Sequence, residues 1–176
     1  MNNIPNTFFI SLEEKIGSNL GCDINIRRSE IEKEEITVYI NGQGRPGINF
    51  HLAMWLYERK SIGASHIFRP TVEIVQFYVN PKGQGIGSKV IETLINHLED
   101  LEDGFEMLLL TAQDEQAAKF WRKVGFQVIE HTSTNMPSMT RKLSLKPKVN
   151  KISVNVAYRS GSSGDKILVD EFDIFW

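Results

Sequence analysis

Apolar and polar residues alternate through "INFHLAMWLYER", where Ile48, Phe50, Leu52, Met54 and Leu56 recur at every second position. A period of two predicts a strand with one buried face. "EEITVYING" and "CDINIRR" are shorter strand candidates, and Asn41-Gly42 with the "GQGRPG" loop supplies turn chemistry. Together they predict an antiparallel meander. Upstream, "SLEEKIGSNLG" reads as a short helix with Ser11 as N-cap and Gly21 as C-cap.

From residue 71 the rhythm changes. "TVEIVQFYV" is a β-branched and aromatic run long enough for a central strand, and Val90, Ile91, Leu94, Ile95 and Leu98 then recur at helical spacing. "FEMLLLTA" predicts a buried strand. Ala117, Ala118, Phe120, Trp121 and Val124 form the stripe of a second helix, closed by Gly125. "FQVIEHT" and "MTRKLSL" follow as two strands joined by the turn at Ser133 to Ser138. Strand, helix, strand, helix, strand, strand implies an α/β sheet of mixed strand directions.

With 176 residues, 41% of them hydrophobic, the chain can bury one sizeable core but not two, so one domain is expected. Twenty Lys and Arg against 22 Asp and Glu leave a net charge of −2, without the basic footprint of a nucleic-acid or membrane-surface protein. Neither is expected as a partner. Cys22 is the sole cysteine, which excludes an internal disulfide, and no Cys/His cluster has metal-ligand spacing. The start "MNNIPNTFFISLEEK" lacks a basic leader and an apolar core, so a cytoplasmic location is expected.

The chemistry concentrates in "VNPKGQGIGSKVIETL". A strand that ends in Asn80-Pro81 and turns through Gly83, Gly85 and Gly87 into a helix aims free N–H groups and the positive helix end at one spot. That spot suits an anion. A P-loop would require Gly-Lys-Ser/Thr, whereas the chain gives Gly87-Ser88-Lys89. A dinucleotide fingerprint would require an acid after the next strand, where "LLLTA" ends in Ala112. A loop that is glycine-rich only for turning is the remaining alternative.

"VNPKGQGIGSKVI" resembles the pyrophosphate-binding motif Q/R-x-x-G-x-G/A of the GNAT superfamily of acyl-CoA-dependent N-acetyltransferases, and "AAKFWRKVGF" resembles its second motif, A-x-x-F-Y-x-x-x-G-F. The two occur in the family's order with a strand between them, and the resemblance covers about residues 71 to 145. It implies a GNAT-type α/β fold: a mixed, mostly antiparallel central sheet flanked by helices. It implies acetyl-CoA as acyl donor, without a metal, and a primary amine as acceptor that attacks the thioester directly. Its pyrophosphate would rest on Gly83, Gln84, Gly85, Ile86, Gly87 and Ser88, and its pantetheine arm would run along Phe77, Tyr78 and Val79. Lys82 stands where the family has Gln or Arg and can still offer a charge. From the second motif, Asp114, Ala117 and Phe120 complete the implied cofactor set. Asp114 stands where an Asn often contacts the pantetheine. Trp121 replaces the tyrosine that many members use to protonate the thiolate, and an indole N–H cannot deliver that proton at neutral pH.

An amine of pKa about 10.4 is neutral at pH 7 only about once in 2,500 molecules, so a base is useful. The resemblance makes Glu73, on the central strand, the leading candidate; among apolar neighbours its pKa would rise toward the working range. Pairing with Arg69 on a solvent-facing strand is the alternative. His131 is a second base candidate and Tyr78 the nearest replacement phenol, although its neighbours suggest core packing. His51, His66 and His97 read as structural or surface residues.

In the tail, "KISVNVAY" and "ILVDEFDIFW" could pair across "RSGSSGDK". Residues 1–146 thus read as the N-acetyltransferase domain, with cofactor motifs within 71–130, and 147–176 as an extra C-terminal β-hairpin. A lone hairpin is marginal in water, so it is expected to pack on the domain or on a partner subunit, which leaves a homodimer open. The first 70 residues do not show the long paired helices that often border the acceptor site in this family. Small amines, aminoglycoside-like polyamines and protein amino groups all remain open as acceptors. The other function class is a non-catalytic acyl-CoA-binding or interaction protein that keeps the fold without proton handling.

Overall fold

The computed structural model describes residues 4–32, 35–44, 47–61, 68–101, 104–132 and 135–144. The extra C-terminal hairpin expected at 147–176 lies outside the described residues. The elements run α1 (Asn6–Leu20), β1 (Cys22–Glu32), β2 (Glu35–Gly44), β3 (Ile48–Ser61), β4 (Phe68–Asn80), α2 (Ile86–Glu99), β5 (Met107–Thr111), α3 (Glu115–Lys123), β6 (Gln127–His131) and β7 (Pro137–Lys142). Among the described residues the strands form one sheet in the order β1-β2-β3-β4-β5-β7-β6. Only β4 and β5 pair in parallel; the other neighbours are antiparallel. This is the mixed, mostly antiparallel sheet with helices that the motif order implies.

Alternation places Val38, Ile40, Phe50, Leu52, Met54, Leu56, Val72, Ile74, Leu108 and Leu110 on one face, all buried. The helices cover that face. Leu12 and Ile16 of α1 and Val90, Ile91, Leu94, Ile95 and Leu98 of α2 join the same core, with Trp121 of α3. At a typical 1.5–3 kcal/mol for each fully buried large aliphatic side chain, this single core dominates the stabilisation. No helix among the described residues is long and apolar enough to cross a membrane.

Two local expectations are corrected. The first helix begins at Asn6 after Pro5, so Ser11 lies inside it and caps nothing, while Gly21 does close it at φ 63°. Gly42 is not a turn residue; it sits in β2 opposite Phe50, and a Cβ there would lie 2.0 Å from the Phe50 ring. The β2–β3 turn falls later, where Gly47 has φ 78°. The glycine at 42 thus makes room for a core aromatic.

A polar clip fixes α1 against α2. His97 is buried, with Nε2 2.8 Å from the Phe8 carbonyl oxygen and Nδ1 3.1 Å from Lys15 Nζ, and Lys15 Nζ is 3.6 Å from Asp100. A neutral ring with its proton on Nε2 satisfies both partners, donating to the carbonyl and accepting from the ammonium. Burial, foremost, lowers the His97 pKa, and the nearby Lys15 charge adds to it. A base with a depressed folded pKa costs stability once the unfolded ring begins to bind a proton. Stability should therefore fall as pH drops below about 6.5, at up to about 1.4 kcal/mol per pH unit from this group, until the folded ring titrates too. Denaturant unfolding between pH 7.5 and 5 measures the slope. His97→Gln should flatten that leg; an unchanged slope would remove His97 as its source.

Candidate active site

The site opens where β4 and β5 part. Their pairing runs only from Thr71 opposite Met107 to Ile74 opposite Leu110, and β5 stops at Thr111 while β4 continues to Asn80. A bulge sits at the point of parting. Ala53 of β3 pairs with Gln76 and Met54 with Ile74, which leaves Val75 as the extra residue, 47% exposed. A bulge bends and twists its strand, here as β4 leaves β5. Residues 75–80 therefore run along a wedge that, among the described residues, carries no strand on the β5 side.

Below the wedge the sequence builds an aromatic floor. The extra residue restores Phe77 and Val79 to the core face, opposite Leu52 and Phe50. Phe77 stacks on Phe120 at 6.0 Å and leans on Trp121 at 5.7 Å. A Cβ at Gly87 would touch Phe77, Val79 and Phe120 at 3.4–3.5 Å, so the first turn of α2 rests directly on these rings. Ala117 is half-buried beside them. Tyr78 points the other way and is 48% exposed, which corrects its expected core packing.

The glycine loop enters α2 at the open end of the wedge. Gly83 and Gly85 take φ 79° and 76°, backbone that other residues adopt only with strain, and nothing lies within 4 Å of where a Cβ would be. Gly85 is the N-cap and offers no side chain, no acid occupies the first turn, and the first helical bond runs from Lys89 N to Gly85 O. Three backbone N–H groups, those of Ile86, Gly87 and Ser88, precede that bond and have no intrahelical acceptor. Lys82, Gln84 and Lys89 are exposed beside them. The start of α3 is different: Asp114 caps it by accepting from Ala117 N at 2.7 Å, and Glu115 follows in its first turn. One helix supplies its own anion and the other leaves the place open.

On the face of β4 away from the core, Glu73 lies opposite Trp55 on β3 and Leu109 on β5, two residues before the bulge. Its carboxylate pairs with the Lys60 ammonium, both side chains being about one quarter exposed or less (22% and 25%). Arg69, its partner in the alternative reading, pairs instead with Glu106. The Lys60 ammonium also stands 4.1 Å from the centroid of the Tyr57 ring, and Trp55 meets that ring edge-on at 6.4 Å. Burial, foremost, and then the charges of Glu73 and Glu35 push the Tyr57 pKa up, so it is held as a neutral phenol. The surroundings of Glu73 are thus a cation and a phenol rather than the apolar pocket expected.

His131 ends β6, an edge strand among the described residues, three strands from β4 and so about 14 Å away across the sheet. It is exposed, with Nδ1 3.5 Å from Asn135 O. The structure brings Glu73, the wedge and the glycine loop onto one strand and its exit; it does not bring His131 to them. Tyr57 and Lys60 were missed by the sequence reading. Their signal was the hydrophobic alternation of β3, which breaks at "YERK".

The acetyltransferase (GNAT) family model matches residues 32–126, and the chain belongs to that family. No curated protein matches it. Among solved structures it is similar to an acetyltransferase from Thermus thermophilus, with 14% identity, TM-score 0.45, and 64% of this chain and 67% of that one covered. It is similar to the PaiA N-acetyltransferase of Thermoplasma acidophilum in complex with coenzyme A, with 17% identity, TM-score 0.42 and 60% of each chain covered. A third likeness is a mutant AtaT toxin bound to the C-terminus of the antitoxin AtaR and acetyl-CoA, with 16% identity, TM-score 0.46, and 61% and 68% covered.

Proposed function

We propose that the chain is an N-acyltransferase that moves an acetyl group from acetyl-CoA to a primary amine by direct attack. The observation that carries this reading is the uncapped, acid-free start of α2 at the mouth of the β4–β5 wedge. Its N–H groups and helix dipole suit the pyrophosphate, with Gly83, Gln84, Gly85, Ile86, Gly87 and Ser88 as the cradle and Lys82 as an added charge. Along residues 75–80 the free edge of β4 suits an amide-bearing pantetheine arm, which would lie over Phe77 and Val79 near Tyr78. Phe120 and Ala117 support that floor, and Asp114 acts by holding the α3 start.

Thioester and amine would meet near the bulge, where Glu73 takes the proton that the ammonium must lose. Tyr57, held as a neutral phenol by burial and by the charge of Glu73, is the donor assigned to orient that carboxylate. Tyr78, exposed on the same side, is the phenol nearest the wedge and is assigned the thiolate's proton in place of Trp121.

Acetyl-CoA should stabilise the fold. At 100 times its dissociation constant a ligand adds about 2.7 kcal/mol, roughly 5–10 °C of melting temperature for a chain of this size. Thermal melts with acetyl-CoA and with longer acyl-CoAs test this, followed by a screen of amines for thiol release. No shift with any acyl-CoA sinks the reading, and a shift without turnover on any amine leaves a non-catalytic acyl-CoA binder.

A further inference from the structure

Lys60 is placed where an acceptor amine would have to go. By simple alternation from Tyr57 it would project from the opposite face of β3. Pairing passes from Tyr57 opposite Thr71 to Lys60 opposite Arg69, three steps on β3 against two on β4, so one extra residue is inserted between them. That bulge returns Lys60 to the face shared by Tyr57 and Glu73. Its ammonium then lies over the Tyr57 ring at 4.1 Å and on the Glu73 carboxylate. Ring face and carboxylate together make an alkylammonium seat, and the chain's own lysine fills it.

We infer that Lys60 is itself an acyl acceptor: with acetyl-CoA bound, the chain acetylates Lys60 Nζ. This rests on the proposed acetyl-CoA site and on Glu73 as base. The Lys60 ammonium gives one proton to the Glu73 carboxylate. The neutral Nζ attacks the thioester carbonyl carbon; the C–N bond forms, the C–S bond breaks, and the second nitrogen proton ends on the departing coenzyme A thiol. Glu73 passes its proton to solvent. The product amide carries no charge, so the ion pair to Glu73 is lost and the seat is cleared of its cation. Self-acetylation would therefore open the site to an external primary amine.

The test uses the full chain with isotope-labelled acetyl-CoA and no added amine, read by thiol release and by mass mapping of every lysine. Expected are one thiol released per chain and label on Lys60 at least tenfold faster than on exposed Lys119, at a rate independent of protein concentration. Glu73→Gln should slow Lys60 labelling at least tenfold and leave Lys119 unchanged. Lys60→Arg, which keeps the cation and the fold, should abolish the stoichiometric thiol release. If acetyl-CoA shifts the melting temperature but Lys60 labels no faster than Lys119, the inference falls and the proposed function stands. If acetyl-CoA does not bind, both fall.

Discussion

Replacing Gly85 with glutamate is expected to abolish acetyl-CoA binding while the fold persists. The position is exposed and nothing lies within 4 Å of the added Cβ, so the fold need not move to admit it. The φ of 76° makes any L residue pay roughly 1–2 kcal/mol of backbone strain, a modest loss for a domain with this core. Binding suffers more. A carboxylate about 4 Å from a phosphate charge at an effective dielectric near 20 costs about 4 kcal/mol, close to a thousandfold in affinity. Gly85→Ala separates the two effects, since it carries the strain and a Cβ without the charge. Calorimetric titration with acetyl-CoA, alongside melts of both variants, decides the matter. Wild-type affinity in the glutamate variant would mean that the loop only turns the chain.

The glycine loop was legible because each of its physical requirements leaves a local mark: positive φ needs glycine, an anion site needs no acid in the first turn, and the helix behind it has 3.6-residue spacing. The wedge was legible only in part. "TVEIVQFYV" predicts a strand, but the parting of β4 from β5 depends on where β5 stops and on Val75 being left over opposite Ala53 and Met54. Neither is a property of one segment. The same holds for Lys60, since a period of two assigns it to the wrong face unless the bulge is known. Gly42 misled for a related reason, because an Asn-Gly pair carries turn chemistry and only the Phe50 ring across the strand explains its place in β2. Tyr78 misled through its neighbours: Phe77 and Val79 are core-facing, and a residue between two such positions faces outward in a strand. Pairing of charges was the least legible. Glu73, Lys60, Arg69 and Glu106 offer several combinations, and register alone selects Lys60 with Glu73 and Arg69 with Glu106.

Converting Glu73 to glutamine should cut acyl transfer to an external amine at neutral pH by about 10²- to 10⁴-fold, the usual span of general-base catalysis. The amide keeps the shape and can still accept from Tyr57, so acetyl-CoA affinity should barely move. What it cannot do is take a proton. Much of the lost rate should return as pH approaches the acceptor's own pKa, where solvent has already removed the proton. A purely structural Glu73 predicts another pattern. Its pair with Lys60 is partly solvated, and such pairs contribute about 0–1 kcal/mol, so the variant would melt slightly lower with its neutral-pH rate and pH profile intact. A normal rate at pH 7 would therefore remove the proton-transfer role from Glu73. His131 would be a poor successor, because it sits three strands away at the sheet's outer edge. The variant's full pH–rate profile, read together with its acetyl-CoA affinity, separates the two accounts.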